Sequence, residues 1–304
     1  MSAPAQVVTV IMLAVFWGLN WPMMKIGLTT VEPWTFRATV VLVGGIGCLL
    51  VARLSGRSIA ITREEIRPLL WLTLLQGVLW NAFSGFGIAL VDAGRAAVLA
   101  FTMPVWATLL AMLVLGEAVT TRRMLGLATG MVAMGLLLVP AFEALGGELF
   151  GAILMIVGAV TWGAATVLLK AVNWKMGVLA LSGWQFLLGS GPLILAAVTF
   201  GDPSSLLRVD YVTGGALAFS ALIPMIFCQA VWFAVVRRLP TSLASTGTLL
   251  VPPLGVYFSA LILNETVGPY EVAALLLVIA ALVLILPGFN WRASLRPQPE
   301  SRPE

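Results

Sequence analysis

The sequence has no histidine, only two cysteines and little charge: 10% of its 304 residues are Asp, Glu, Lys or Arg, against about 25% in soluble domains. Without histidine, general acid–base catalysis and zinc ligation lose their commonest side chain. Glu-Xaa-Xaa-His, Gly-Xaa-Ser-Xaa-Gly and Walker-type patterns are also absent. Nothing therefore supports an enzyme, an ATP-driven pump, a metal site or a bound cofactor. Cys48 and Cys228 each lie inside an apolar run. They read as small buried hydrophobes rather than as a disulfide.

What is present is apolar surface. Sixty per cent of the residues are hydrophobic, in long stretches that no soluble core of this size buries. Runs of about 20 residues match the thickness of a bilayer's hydrocarbon. They fall at 7–28, 34–53, 68–90, 95–115 and 122–141, and again at 148–170, 178–200, 213–236, 242–263 and 268–287. Their continuous, non-alternating apolarity predicts helices rather than barrel strands. The expected fold class is an all-α integral membrane protein with ten transmembrane helices. No Lys or Arg precedes Lys25, so the first run lacks the basic region of a cleavable signal peptide.

The net charge of +4 does not point to nucleic acid, because the basic residues sit between the apolar runs. One side collects Arg53, Arg57, Arg63, Arg67, Arg122, Arg123, Lys170, Lys175, Arg237, Arg238, Arg292, Arg296 and Arg302; the other holds Lys25, Arg37, Arg95 and Arg208. The positive-inside rule then places both termini in the cytoplasm. Residues 289–304, rich in Pro and Arg, are expected to form a disordered cytoplasmic tail.

Two phrases recur. Ala14-Val15-Phe16-Trp17-Gly18 leads to Lys25, and Ala159-Val160-Thr161-Trp162-Gly163 leads to Lys170, at an offset of 145. Pro104 with Glu117 returns as Pro252 with Glu265 at an offset of 148. The chain thus divides into two five-helix units, 1–146 and 147–288. An odd number of spans per unit turns the second copy upside-down relative to the first. Inverted repeats mark transporters that alternate access around a midplane site. A duplication that only enlarges a bundle is the competing reading. Gly116 precedes Glu117 whereas Asn264 precedes Glu265, so the second copy is expected to have lost the Gly-Glu turn.

These features resemble the drug/metabolite transporter superfamily, and within it the EamA-type ten-helix exporters. The resemblance covers roughly residues 7–287. It implies a bacterial inner-membrane exporter of small molecules, with spans five and ten on a scaffold outside the cavity. The aromatic-rich composition is most similar to exporters of aromatic and other neutral amino acids.

Candidate site residues are the polar and aromatic groups at mid-span. Trp17 and Trp162 lie away from the interfacial belt where Trp usually sits, and an indole N–H seeks a partner. They serve either a polar cavity or plain packing against Gly18 and Gly163. Asn20, Trp21 and Pro22 follow, the proline freeing a backbone carbonyl. Further candidates are Trp80, Asn81, Ser84, Thr102, Thr166, Trp184, Gln185 and Gln229. Each lines a pathway or makes an interhelical hydrogen bond. Thr102 and Pro104 correspond to Thr248 and Pro252 in the repeat. Lys25 and Lys170 end the two Trp-Gly helices as gate residues or as side chains snorkelling to the interface. Arg37 invites the same two readings. Pro22, Pro104 and Pro252 are the expected hinges of gating.

No Asp or Glu stands at the centre of a span. An exchanger of cationic drugs usually keeps one there for proton relay. Its lack favours neutral substrates and makes facilitated diffusion the simplest driving force. A channel or lipid scramblase, or a carrier of nucleosides, sugars or cationic drugs, is the alternative. Expected partners are a small-molecule substrate and the bilayer, not nucleic acid. Gly126 and Gly130 form a Gly-x-x-x-Gly that permits close helix contact; a monomer is expected, with a homodimer through this face as the alternative.

Overall fold

A computed structural model of the chain describes residues 3–116, 120–143, 147–231 and 250–285. These residues contain helices and no strand: α1 Ala3–Gly27, α2 Pro33–Leu54, α3 Arg63–Leu90, α4 Ala93–Leu115 and α5 Thr121–Glu143. They continue with α6 Gly147–Ala171, α7 Val178–Phe200, α8 Tyr211–Val231, α9 Val251–Leu263 and α10 Pro269–Ile285. Seven are long and apolar enough to cross a membrane, and α5, α9 and α10 supply shorter apolar stretches. The chain is an all-α, multi-pass membrane protein. Glu117, Arg237, Arg238, Thr248 and the tail 289–304 lie outside the described residues.

The helices are interrupted where the sequence carries proline or buried amides. α8 widens into a π-turn at Ile223–Cys228, where Pro224 removes an amide donor from the ladder. α3 widens at Thr73–Leu79. There Asn81 Nδ2 donates to the carbonyls of Gln76 (2.9 Å) and Gly77 (3.1 Å). α4 breaks at Phe101–Thr102, and its second segment begins at Met103 with Pro104 in its first turn. Pro252 opens α9 in the same way. Pro22, by contrast, lies within an unbroken α1. Its missing N–H frees the carbonyl of Gly18.

Packing partners come in matched pairs. α1 lies along α9 and α8, as α6 lies along α4 and α3. α2 runs along α7, and α5 along α10. The Trp-Gly phrases sit at the tightest of these crossings. A Cβ on Gly18 would stand 2.7 Å from Leu254 Cβ and 3.2 Å from the Gly255 nitrogen. On Gly163 it would stand 3.0 Å from Trp106 Cβ and 2.8 Å from the Ala107 nitrogen. Leu254 and Gly255 are Trp106 and Ala107 advanced by the same 148 positions that separate Pro104 from Pro252.

Two expectations are corrected here. The Gly-Glu turn is not lost in the second copy. Asn264 ends α9 at φ 56°, ψ 32°, and Gly116 ends α4 at φ 65°, ψ 27°. Asn is the side chain that best tolerates this left-handed conformation in place of Gly. Nor is the Gly126/Gly130 face open to a second copy. A Cβ on Gly126 would meet Ile285 Cγ1 at 2.7 Å, and one on Gly130 would meet Val105 Cγ2 at 2.5 Å. That face is filled by α10 and α4 of the same chain.

Acidic residues satisfy helix N-termini. Glu32 accepts from the Trp34 and Thr35 amides of α2, and Asp210 from the Thr213 amide of α8. Glu265 reaches across the fold, its two oxygens accepting from the Ala93 (2.7 Å) and Gly94 (2.9 Å) amides that open α4. Burial raises the Glu265 carboxyl above its ordinary range, despite these two bonds and nearby Lys25, which favour the charged form.

Gly18→Val and Gly163→Val are each expected to lower the thermal midpoint of the detergent-purified protein, at a cost of about 1–3 kcal/mol. Gly135→Ala, where nothing lies within 4 Å, leaves it unchanged or raised. Glu265→Ala orphans two amides and is expected to cost about 1–3 kcal/mol. Because the folded chain binds the Glu265 proton more tightly than the unfolded chain, wild type gains stability over Glu265→Gln as pH falls through the raised pKa. Thermal midpoints of the two proteins at about pH 7.5 and pH 5 check that sign.

Candidate functional site

The interior of the helix set holds one aromatic and polar constellation. Trp80 of α3 meets Trp162 of α6 edge to face, with centroids 5.1 Å apart and planes at 72°. Ser84, one turn beyond Trp80, donates from Oγ to the Trp80 carbonyl (2.6 Å) and accepts from Arg37 Nη2 of α2 (2.9 Å). Arg37 is 3% exposed, so its charge does not snorkel to an interface. Its Nε is buried without an acceptor, as Asn20 Oδ1 is without a donor and Trp106 Nε1 without an acceptor. At 1.5 Å per residue, Asn20 and Ser84 stand about 10 and 9 Å inside the ends of α1 and α3, and Arg37 about 6 Å inside the start of α2. The three share a layer below one face.

The remaining expected site residues divide. Trp21 is buried, and its ring lies 3.1 Å from where a Cβ on Gly255 would stand. Trp17 packs in a separate cluster with Phe16, Ile223 and Val231 around Val10, Leu13 and Cys228. The two Trp of the repeated phrase are therefore not brought together. Asn81 is fully buried, its amide engaged by the π-turn carbonyls and its Oδ1 without a donor. Gln185 is buried across from that turn, with Oε1 likewise without a donor. Gln229 follows the π-turn of α8, half-buried. Thr102 is buried and bonds back to the Leu99 carbonyl (2.7 Å). Trp184 donates to the Ile59 carbonyl (2.7 Å), tying down the loop between α2 and α3. Thr166 is exposed and bonds back to the Trp162 carbonyl.

One face is laced shut. Lys25 Nζ donates to the carbonyls of Ile88 (2.9 Å), Ala89 (3.1 Å) and Val91 (2.7 Å), closing the end of α3. Arg95 pairs with Glu148 (3.0 Å) and Glu271 (2.8 Å). With Glu265 on the α4 amides, these contacts join α1, α3, α4, α6, α10 and the end of α9. Lys170, the repeat counterpart of Lys25, is exposed at the end of α6. On the opposite face Glu65 accepts from the Lys175 and Met176 amides, and Lys175 pairs with Glu64 (2.6 Å).

Sequence reasoning missed three of these roles. Trp106 was legible only as the repeat counterpart of Leu254. Glu265 was visible as a repeated residue, but its target amides are 171 and 172 positions away. The burial of Arg37 left a fainter trace: a cation four residues inside an apolar run.

Comparison with known proteins supplies the lineage. The model of the EamA-like transporter family matches the chain twice, over residues 5–139 and 149–286. An uncharacterized transporter, YoaV of Bacillus subtilis, is 26% identical over 262 residues, covering 85% of this chain and 88% of the relative. A probable amino-acid metabolite efflux pump of Salmonella typhimurium is 25% identical over 300 residues, covering 94% and 96%. A crystal structure with 16% identity superposes with a TM-score of 0.60 over 91% of this chain and 96% of the other, a likeness of fold. With nearly all of its length matched in two halves, the chain belongs to the EamA-like transporter family and is a metabolite transporter rather than an enzyme.

Proposed function

We propose that this transporter exports small neutral metabolites, aromatic and other apolar amino acids foremost, across the bacterial inner membrane. The observation that carries the substrate class is the Trp80–Trp162 pair beside Ser84. A largely buried aromatic pair with a hydroxyl one helical turn away suits a flat apolar group attached to a polar head. The similarity to a named amino-acid metabolite efflux pump supports the same class.

The mechanism proposed is alternating access between two inverted five-helix repeats, residues 1–146 and 147–288. It is supported by the matched packing pairs, the two glycine crossings and the family model's two matches. With both termini cytoplasmic, as the distribution of Lys and Arg favours, the face closed by Lys25 and Arg95 is the outer one. Release of Lys25 from the α3 carbonyls, and of Arg95 from Glu148 and Glu271, opens it. Lys170 serves the opposite gate. The freed carbonyl at Pro22, the break before Pro104 and the proline that opens α9 let α1, α4 and α9 bend as the gates exchange. Trp162 and Trp80 hold the apolar group; Trp17, Asn20, Trp21, Asn81, Ser84, Thr102, Thr166, Trp184, Gln185 and Gln229 line or support the path.

The test is counterflow of labelled phenylalanine in proteoliposomes. Saturable uptake, driven by unlabelled phenylalanine inside, is expected. Trp162→Ala is expected to lower it about tenfold or more, equivalent to roughly 1.4 kcal/mol of lost binding. Non-saturating flux without counterflow contradicts a carrier and indicates a pore or scramblase.

A further inference from the structure

Arg37 is a full positive charge inside packed protein. Its Nη2 donates to a neutral hydroxyl, Ser84 Oγ, and its Nε has no acceptor. α3 closes directly over it: a Cβ on Gly85 would stand 2.8 Å from Arg37 Cγ and 3.1 Å from Nε. Carboxylates of the nearby face are engaged elsewhere or, at Asp92, exposed. Glu32 caps α2, Glu265 caps α4, and Glu148 and Glu271 hold Arg95. Among the described residues none pairs with Arg37. Burying a charge without a partner is strongly unfavourable, and an ionisable residue kept inside a membrane bundle is a functional site by default. Stability does not explain it.

We propose that Arg37 is the carboxylate anchor of the transported molecule. The proposal rests on the aromatic amino-acid reading above and deepens it. The guanidinium is a planar fork that matches a carboxylate in two parallel hydrogen bonds. Ser84, its partner, lies one helical turn from Trp80, so a carboxylate on Arg37 leaves the aromatic ring to reach along α3 toward the Trp80–Trp162 corner. Asn20 Oδ1, buried in the same layer without a donor, accepts from the ammonium group. A zwitterion then meets one buried cation and one buried acceptor. Such a site gives a path with no acidic residue at mid-span a means to discriminate by charge.

The purified protein is titrated with phenylalanine, phenylalanine amide and 3-phenylpropionate, with binding read by calorimetry. Wild type is expected to bind phenylalanine at least about tenfold more tightly than the amide, and to retain 3-phenylpropionate. Arg37→Gln keeps a hydrogen-bonding partner for Ser84 and is expected to erase the acid-over-amide preference; Arg37→Lys keeps part of it. A purely structural role for Arg37 leaves that preference unmoved. If Arg37→Gln does not fold, Ser84→Ala, which keeps the charge, is expected to weaken phenylalanine more than its amide. Equal binding of acid and amide by wild type, or a preference that persists in Arg37→Gln, overturns the proposal. If phenylalanine and its amide are carried alike, the aromatic class stands and the anchor falls. If only aliphatic amino acids are preferred over their amides, through Arg37, the anchor stands and the aromatic class falls.

Discussion

A polar group inside a bilayer must find its partner within the protein, because no water is there to supply one. Most of the architecture follows from how that constraint is met. Lys25 gives its three donors to the carbonyls that α3 leaves open. Glu265 gives both oxygens to the amides that open α4. Asn81 serves the carbonyls of a π-turn. Helix ends are thus stitched to neighbouring helices, whereas the π-turn of α3 and the break of α4 are answered by side chains of their own helix. Where the stitching is incomplete, the unanswered buried groups include Arg37 Nε, Asn20 Oδ1 and Trp106 Nε1, and Arg37 is the one among them that carries a charge and bonds Ser84, one turn from Trp80.

Close approach is the second organising feature. Lipid offers apolar side chains no reason to prefer protein, so helices gain from packing only when backbones come near each other. Gly18 and Gly163 provide that nearness at equivalent crossings. A shared helix-crossing geometry also explains why Asn264 reproduces the left-handed ending of Gly116. The turn is a property of the crossing helix, and Asn is an adequate replacement for Gly there.

Much of this was legible in the sequence. Among the described residues, hydropathy matched most helix ends to within about five residues, because the bilayer imposes a length on any helix that crosses it. Residues 232–249, where the eighth span ends and the ninth begins, lie outside them. The repeated Trp-Gly and Pro…Glu phrases foretold matched crossings, because duplicated helices keep the small residues their contacts need. Less was legible at the site. Equal positions in a repeat suggested that Trp17 and Trp162 would act together, yet they pack in different clusters. A residue's depth can be counted from a span's end, but the azimuth that decides its neighbours depends on tertiary packing. Trp184 and Thr166 show the same limit. Mid-span polarity marked both, and one ties down a loop while the other is exposed and bonds back to its own helix. Long-range pairings such as Arg37 with Ser84 have no local signature at all.

Alternating access between the two halves requires them to cross the membrane in opposite senses. Cys48 and Cys228 are both fully buried, so single cysteines introduced into loops can be labelled against a low background. Thr29→Cys, after α1, and Asn173→Cys, after α6, occupy the turns that follow the two repeated phrases. In intact cells, a membrane-impermeant maleimide is predicted to label position 29 and spare position 173, with the pattern reversed in inside-out vesicles. Labelling of both positions from the same side contradicts the inverted arrangement, and with it the carrier mechanism built on it.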